Sequence, residues 1–150
     1  MHASILMQQQ ALSTLVAWMR LDSAISAFHL RLKQQHGITG LQLAVLHTLA
    51  ERPHMALAAL RKGLDMHAAT LGQSIDELRR LELCIVRTDP RDRRARLVAI
   101  TQKGLDLVAE VPLAGPNRLR QLETDPARLD RLTEALADAL ELFALAEKKS

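Results

Sequence analysis

The densest chemistry in this sequence is guanidinium chemistry. Between Arg87 and Arg96 lie five arginines (Arg87, Arg91, Arg93, Arg94, Arg96) and two aspartates, Asp89 and Asp92. Guanidinium groups stay charged at physiological pH and present a planar fork of donors that fits phosphate oxygens. A run this short and dense reads either as the electrostatic footprint of a polyanion site or as a solvated charged loop. The net charge of +3 is unevenly spread: residues 56–104 hold 10 Lys/Arg against 6 Asp/Glu, and residues 105–150 hold 6 against 9. Other reactive side chains are sparse. The single cysteine, Cys84, sits among apolar residues and reads as an inert buried thiol; it excludes a disulfide framework and a cysteine-based zinc cluster. The six histidines (His2, His29, His36, His47, His54, His67) form no His-x-x-His or longer ligand spacing, so no metal and no cofactor is expected. There is no G-x-S-x-G, phosphate loop, dinucleotide glycine pattern or His-Glu-x-x-His, and the carboxylates are scattered, so the chain is not read as an enzyme.

The elements that position the arginines follow from periodicity. Residues 5–35 carry Leu12, Leu15, Val16, Met19, Ile25, Phe28 and Leu32 at helical spacing, and Gly37 is placed to stop that helix. Thr39 precedes a second amphipathic helix with Leu41, Val45, Leu46 and Leu49, which ends before Pro53. Residues 56–63 form a short third helix closed by Gly63. Asp65 is a candidate N-cap for a fourth, over residues 66–81. Its apolar stripe is Leu71, Ile75 and Leu78, with Leu81 at the edge. At about 100° per residue the opposite face carries Ala69, Gln73, Asp76 and Arg80, with Thr70 and Glu77 beside them.

Residues 83–87 and 96–100 have the length and β-branched composition of strands. The segment between them, opened by the turn signal Asp89-Pro90, is too long for a two-residue hairpin and should project as an arginine-tipped ribbon. Thr101 caps a helix running to about Val111, which Pro112, Gly115 and Pro116 kink or break. Asp125-Pro126 opens a last helix with Leu129, Leu132, Leu136, Leu140 and Phe143. The order helix, helix, short helix, capped helix, strand, arginine segment, strand is that of a helix-turn-helix followed by a β-ribbon wing. Such a unit places the second helix of the motif in the major groove, with the ribbon at phosphates or a narrow minor groove.

Two segments carry a family resemblance. Ile38-Thr39-Gly40-Leu41-Gln42 through Leu49 resembles the helix that opens the winged-helix domain of MarR-family transcriptional regulators. Asp89-Pro90-Arg91-Asp92-Arg93-Arg94-Ala95, followed by Leu97-Val98-Ala99-Ile100-Thr101-Gln102-Lys103-Gly104, resembles that family's wing and second strand. The resemblance implies a mainly α (α+β) fold. A winged helix-turn-helix domain at 38–104 would be flanked by N- and C-terminal dimerisation helices, 1–37 and 105–150, that interlock between two copies. It further implies a homodimer on a pseudo-palindromic operator in double-stranded DNA, acting as a repressor, with a small-molecule effector between the dimerisation helices and the winged domain.

On this reading Ala69, Thr70 and Gln73 face the bases, and Gln73 has the paired donor and acceptor that suit adenine. Arg80 meets a phosphate. Arg91, Arg93 and Arg94 are the wing's contacts, and Asp92 orients one of them by a charge-assisted bond. Asp76 would repel phosphate and is expected to pair with Arg79 or Arg80. Trp18, Met19, His29 and His47 are candidates to line an effector pocket. Three positions depart from the family pattern: Glu82 where glycine is usual before the first strand, Gly72 where Ser or Thr is common, and Gln73 where Arg is frequent. A non-glycine residue at Glu82 implies a strained turn.

The 150 residues, 48% apolar and 25% charged, suffice for one domain with a real core. Their longest apolar run, Met55 to Leu60, is far below the roughly 20 residues of a membrane span, and no signal-peptide pattern opens the chain. A cytoplasmic location without membrane partners is therefore the expectation. Aromatics are limited to Trp18, Phe28 and Phe143, which disfavours a base-stacking single-strand binder. The alternative to a DNA-binding regulator is a helical dimeric protein-interaction module whose basic ribbon docks an acidic partner.

Overall fold

The computed structural model describes residues 2–111 and 114–147. Pro112, one of the expected helix breakers, lies outside them. The chain divides into two compact units, Met1–Asn117 and Arg118–Ser150.

The first unit opens with α1 (His2–His36), which ends where Gly37 turns left-handed at φ 72° and its N–H reaches Lys33 O at 3.0 Å. Residues 4–24 of α1 are exposed throughout, and only Phe28 and Leu32 near its end join the core. The helix α2 (Gly40–Glu51) starts at a reciprocal cap: Thr39 Oγ1 accepts from Gln42 N at 3.1 Å, and Gln42 Oε1 accepts from Thr39 N at 2.9 Å. A three-residue strand β1 (His54–Ala56) follows, then α3 (Leu57–Gly63) and α4 (Ala68–Arg80). The ribbon is β2 (Cys84–Asp89) and β3 (Asp92–Ile100), and α5 (Gln102–Glu110) leaves it. The sheet is antiparallel in the order β1-β3-β2, with Met55 opposite Val98 and Val86 opposite Val98. Its inner face (Cys84, Val98) packs with Leu43, Leu46 and Leu49 of α2, Leu60 of α3, and Leu71, Ile75 and Leu78 of α4 into one buried cluster.

The described structure is mainly helical with a small sheet, as expected, but four local expectations are corrected. The strand β1 is absent from the sequence reading, since three residues are too few to show a period. The third helix ends at Gly63 as expected, but Gly63 does not make the turn that closes it. Asp65 is its left-handed terminal residue, with φ 49°, Asp65 N bonded to Lys62 O and Met66 N to Arg61 O. Asp65 therefore ends α3 rather than capping α4, whose N-cap is His67, without a side-chain bond. Finally, the segment between the strands is itself paired. Asp89 lies opposite Asp92, so Pro90 and Arg91 form a two-residue connection, which the sequence reading excluded. Both aspartates build it: Asp89 Oδ1 accepts from Arg91 N at 2.9 Å, and Asp92 Oδ1 from Arg94 N at 3.0 Å.

Where β2 begins, Glu82 adopts φ 62°, as its departure from glycine implied. Three bonds fix this turn. Lys103 Nζ donates to Leu81 O at 2.9 Å, Thr101 Oγ1 to Glu82 O at 2.7 Å, and Thr101 N to Leu83 O at 3.1 Å. Thr101 also caps α5 by accepting from Gly104 N at 3.1 Å. A Cβ at Gly104 would overlap the Leu83 carbonyl oxygen, which gives the Thr-x-x-Gly ending a packing reason.

The second unit holds α6 (Pro126–Leu142), capped by Asp125 Oδ1 accepting from Ala127 N at 3.0 Å. No residue of α6 is buried, and Leu132, Leu136, Leu140 and Phe143 are all exposed.

Candidate nucleic-acid interface

Helix α4 is amphipathic in the required sense. Leu71, Ser74, Ile75 and Leu78 are buried, while Ala69, Thr70, Gln73, Asp76 and Arg80 are exposed on the other side. Asp76 Oδ1 lies 3.6 Å from Arg79 Nη1, so the carboxylate expected to repel phosphate is neutralised within its own helix. This exposed pair contributes little to stability. Its effect is on the local field.

The ribbon presents Arg91, Arg93, Arg94 and Arg96, all exposed. The pairing register jumps between Thr88, opposite Arg96, and Asp89, opposite Asp92, so Arg93, Arg94 and Ala95 form an irregular bulge on β3. Bulges of this kind re-aim side chains and sharpen the local twist. Asp92 acts on this bulge by a charge-assisted bond to the backbone amide of Arg94. Asp76–Arg79, on α4, is an ion pair away from this bulge. Arg87 is engaged elsewhere, its Nη2 3.1 Å from His54 Nδ1 across the sheet.

Between the ribbon, α3 and the start of α4 runs a groove of about 360 Å³, lined by Ala56, Leu57, Leu71 and three arginines, Arg61, Arg94 and Arg96. Arg61 was not singled out from the sequence. Its signal was the Arg61-Lys62 pair closing a short apolar helix, but only the fold brings it beside the wing.

Cys84 is buried, with its Sγ 3.9 Å from Ile75 O. Desolvation raises its pKa from 9.0 to about 11, outweighing the nearby positive charge of Arg79. The thiol is thus protonated and shielded, as read from the sequence. The four candidate pocket residues have dissimilar environments. Trp18 and Met19 lie on the open surface of α1, His47 is buried in α2, and the His29 ring stands over Gly40. Among the described residues no group of three or more His, Cys, Asp or Glu is placed to hold a metal ion.

Residues 36–95 match the model of the MarR family. The match falls on the helix-turn-helix and on the ribbon as far as Ala95. The chain is 27% identical over 77 residues to the HTH-type transcriptional regulator MhqR of Bacillus subtilis, a stretch covering 51% of this chain and 53% of that protein. It thus spans about half the length of this relative. Among solved structures, BpsR of Bordetella bronchiseptica is 27% identical with a TM-score of 0.55, over 81% of this chain and 96% of that one. That structure concerns regulation of DNA binding by 6-hydroxynicotinic acid. A MarR family transcriptional regulator from Streptomyces coelicolor, in complex with DNA, superposes with a TM-score of 0.64 at 19% identity, over 87% of each chain. At that identity the likeness establishes the shared fold. No described helix is long and apolar enough to cross a membrane.

Proposed function

We propose that this chain is a sequence-specific double-stranded DNA-binding transcriptional regulator, a repressor acting as a homodimer. The observation that carries the reading is that one compact unit exposes both the polar face of α4 and the arginine-bearing bulge of the ribbon. The MarR-family match over this block and the DNA complex of the Streptomyces coelicolor neighbour support it.

In this reading α4 lies in the major groove, with Ala69, Thr70 and Gln73 at base edges and Arg80 at a phosphate. Arg91, Arg93 and Arg94 reach the minor groove or the adjacent phosphates, and Arg61 and Arg96 flank the strand between the two contacts. Affinity comes mainly from counterion release at phosphates, and specificity from the bases. Two copies present two such units to a pseudo-palindromic operator. The regulation of BpsR by a small organic acid supports extending the reading to a small-molecule effector, with Trp18, Met19, His29 and His47 as lining candidates.

The test is an anisotropy titration against duplexes from the DNA flanking its own coding region, repeated at several salt concentrations. Tight binding to one duplex, weakening steeply with salt, is the expected result. Equal affinity for every duplex, or capture of acidic proteins without retardation of DNA, overturns it and favours an interaction module.

A further inference from the structure

Gln42 is polar, yet it is 1% exposed. A buried primary amide carries two donors and an acceptor, which cost free energy unless they find partners. Its Oε1 accepts from Thr39 N, and its Nε2 donates to Glu77 Oε2 on α4, 35 positions away in sequence. One side chain therefore joins the cap of α2 to α4, and no buried side-chain N or O among the described residues is left without a partner.

Glu77 sits on the border between the two faces of α4, half-buried between exposed Asp76 and buried Leu78. The buried face of this helix is held by Leu71, Ile75 and Leu78, whose contacts are non-directional and tolerate small rotations. A hydrogen bond to a carboxylate constrains distance and direction together, and is among the stronger kinds. The same bond also holds an acidic side chain that would otherwise be free beside the DNA-facing surface.

We propose that the Gln42–Glu77 link is a positioning device that fixes the rotation of α4 about its own axis, and so decides which side chains reach the base edges. Neither residue touches DNA; both act through Ala69, Thr70 and Gln73. The inference rests on the DNA-binding reading above.

Glu77→Ala and Glu77→Gln separate positioning from charge, because both remove the negative charge and only Gln keeps an acceptor for Gln42. Each is compared with wild type on a duplex obtained by in vitro selection and on a scrambled duplex of equal length, with thermal melting alongside. Electrostatics alone predicts tighter binding to any duplex once the carboxylate is gone. The positioning role predicts the opposite for Glu77→Ala on the selected duplex: its preference over the scrambled one falls by about tenfold or more. Glu77→Gln keeps that preference within about threefold, and the two variants, equal in charge, bind the scrambled duplex alike.

A Glu77→Ala protein that retains the preference, or a Glu77→Gln protein that loses it equally, overturns the proposal. If Glu77→Ala does not melt cooperatively, Glu77→Met, which fills the space without accepting a bond, takes its place. Loss of fold in both, with Glu77→Gln folded, also overturns it in favour of a contact serving stability alone. A wild-type protein with no preference among duplexes removes the DNA-binding reading first, and this proposal with it.

Discussion

Glu82 holds a backbone conformation that side chains with a Cβ disfavour by roughly 1–2 kcal/mol. The bonds from Lys103 and Thr101 to the three carbonyls around it hold the turn in that conformation. Glu82→Gly relieves the strain but gives the unfolded chain more freedom, so a net gain of about 1 kcal/mol or somewhat less is expected, read from urea unfolding. Gly72 is the converse case. It lies inside α4, and a Cβ there would meet nothing within 4 Å. Gly72→Ala should therefore raise stability by about 1 kcal/mol in the same measurement. Cys84 sets a pH limit. Its pKa is raised from 9.0 to about 11, so below pH 9 folded and unfolded states are both protonated and the thiol costs nothing. Above pH 9 the unfolded thiol ionises while the buried one does not, and stability falls until about pH 11. Wild type should lose more stability than Cys84→Ala between pH 8 and about pH 11.

At the scale of elements, α4 and the ribbon divide the work and should fail differently. Removing a phosphate contact, by Arg94→Ala or Arg61→Ala, should weaken binding to all duplexes and lower the slope of log K against log salt by about 0.9 per subunit, about 1.8 for the dimer. Removing a base contact, by Gln73→Ala, should leave the slope unchanged and cost about 1–3 kcal/mol at particular base pairs only. An unchanged slope in both arginine variants would take the ribbon and its groove off the DNA. The faces of α4 and the existence of the wing were legible because each rests on local pattern: Leu71, Ile75 and Leu78 at helical spacing, and two β-branched runs around an arginine cluster. What was not legible depends on which of two neighbouring elements claims a residue, or on contacts that only folding makes. Asp65 reads as an N-cap locally, but the end of α3 claims it. The bulge at Arg93–Ala95 arises from a register set by Thr88 and Asp89 on the other strand. Arg61 and Glu77 gain their significance only from neighbours that folding brings to them.

For the molecule as a whole, the first unit does not cover its own longest helix. Leu12 is 62% exposed, Leu15 51% and Met19 57%, a stripe far from the core that Phe28 and Leu32 enter. Scattered surface leucines need no explanation, but an apolar stripe continuous over about two turns marks an interface. On the proposed reading a second copy covers it, and a twofold pair would set two α4 helices at the spacing of successive major grooves, one helical turn apart. Light scattering should therefore return twice the 16.7 kDa of the chain. Leu15→Glu combined with Met19→Glu places two charges where the partner must desolvate them, at a cost of several kcal/mol. Because those side chains lie outside the core of the first unit, the variant should stay folded, scatter as a monomer, and melt at a temperature independent of protein concentration. Its affinity for a two-half-site duplex should fall to that of a single half-site, which links assembly to recognition. A wild-type chain that stays monomeric at micromolar concentration, or a double variant that still pairs, would place the dimer contact elsewhere or remove it.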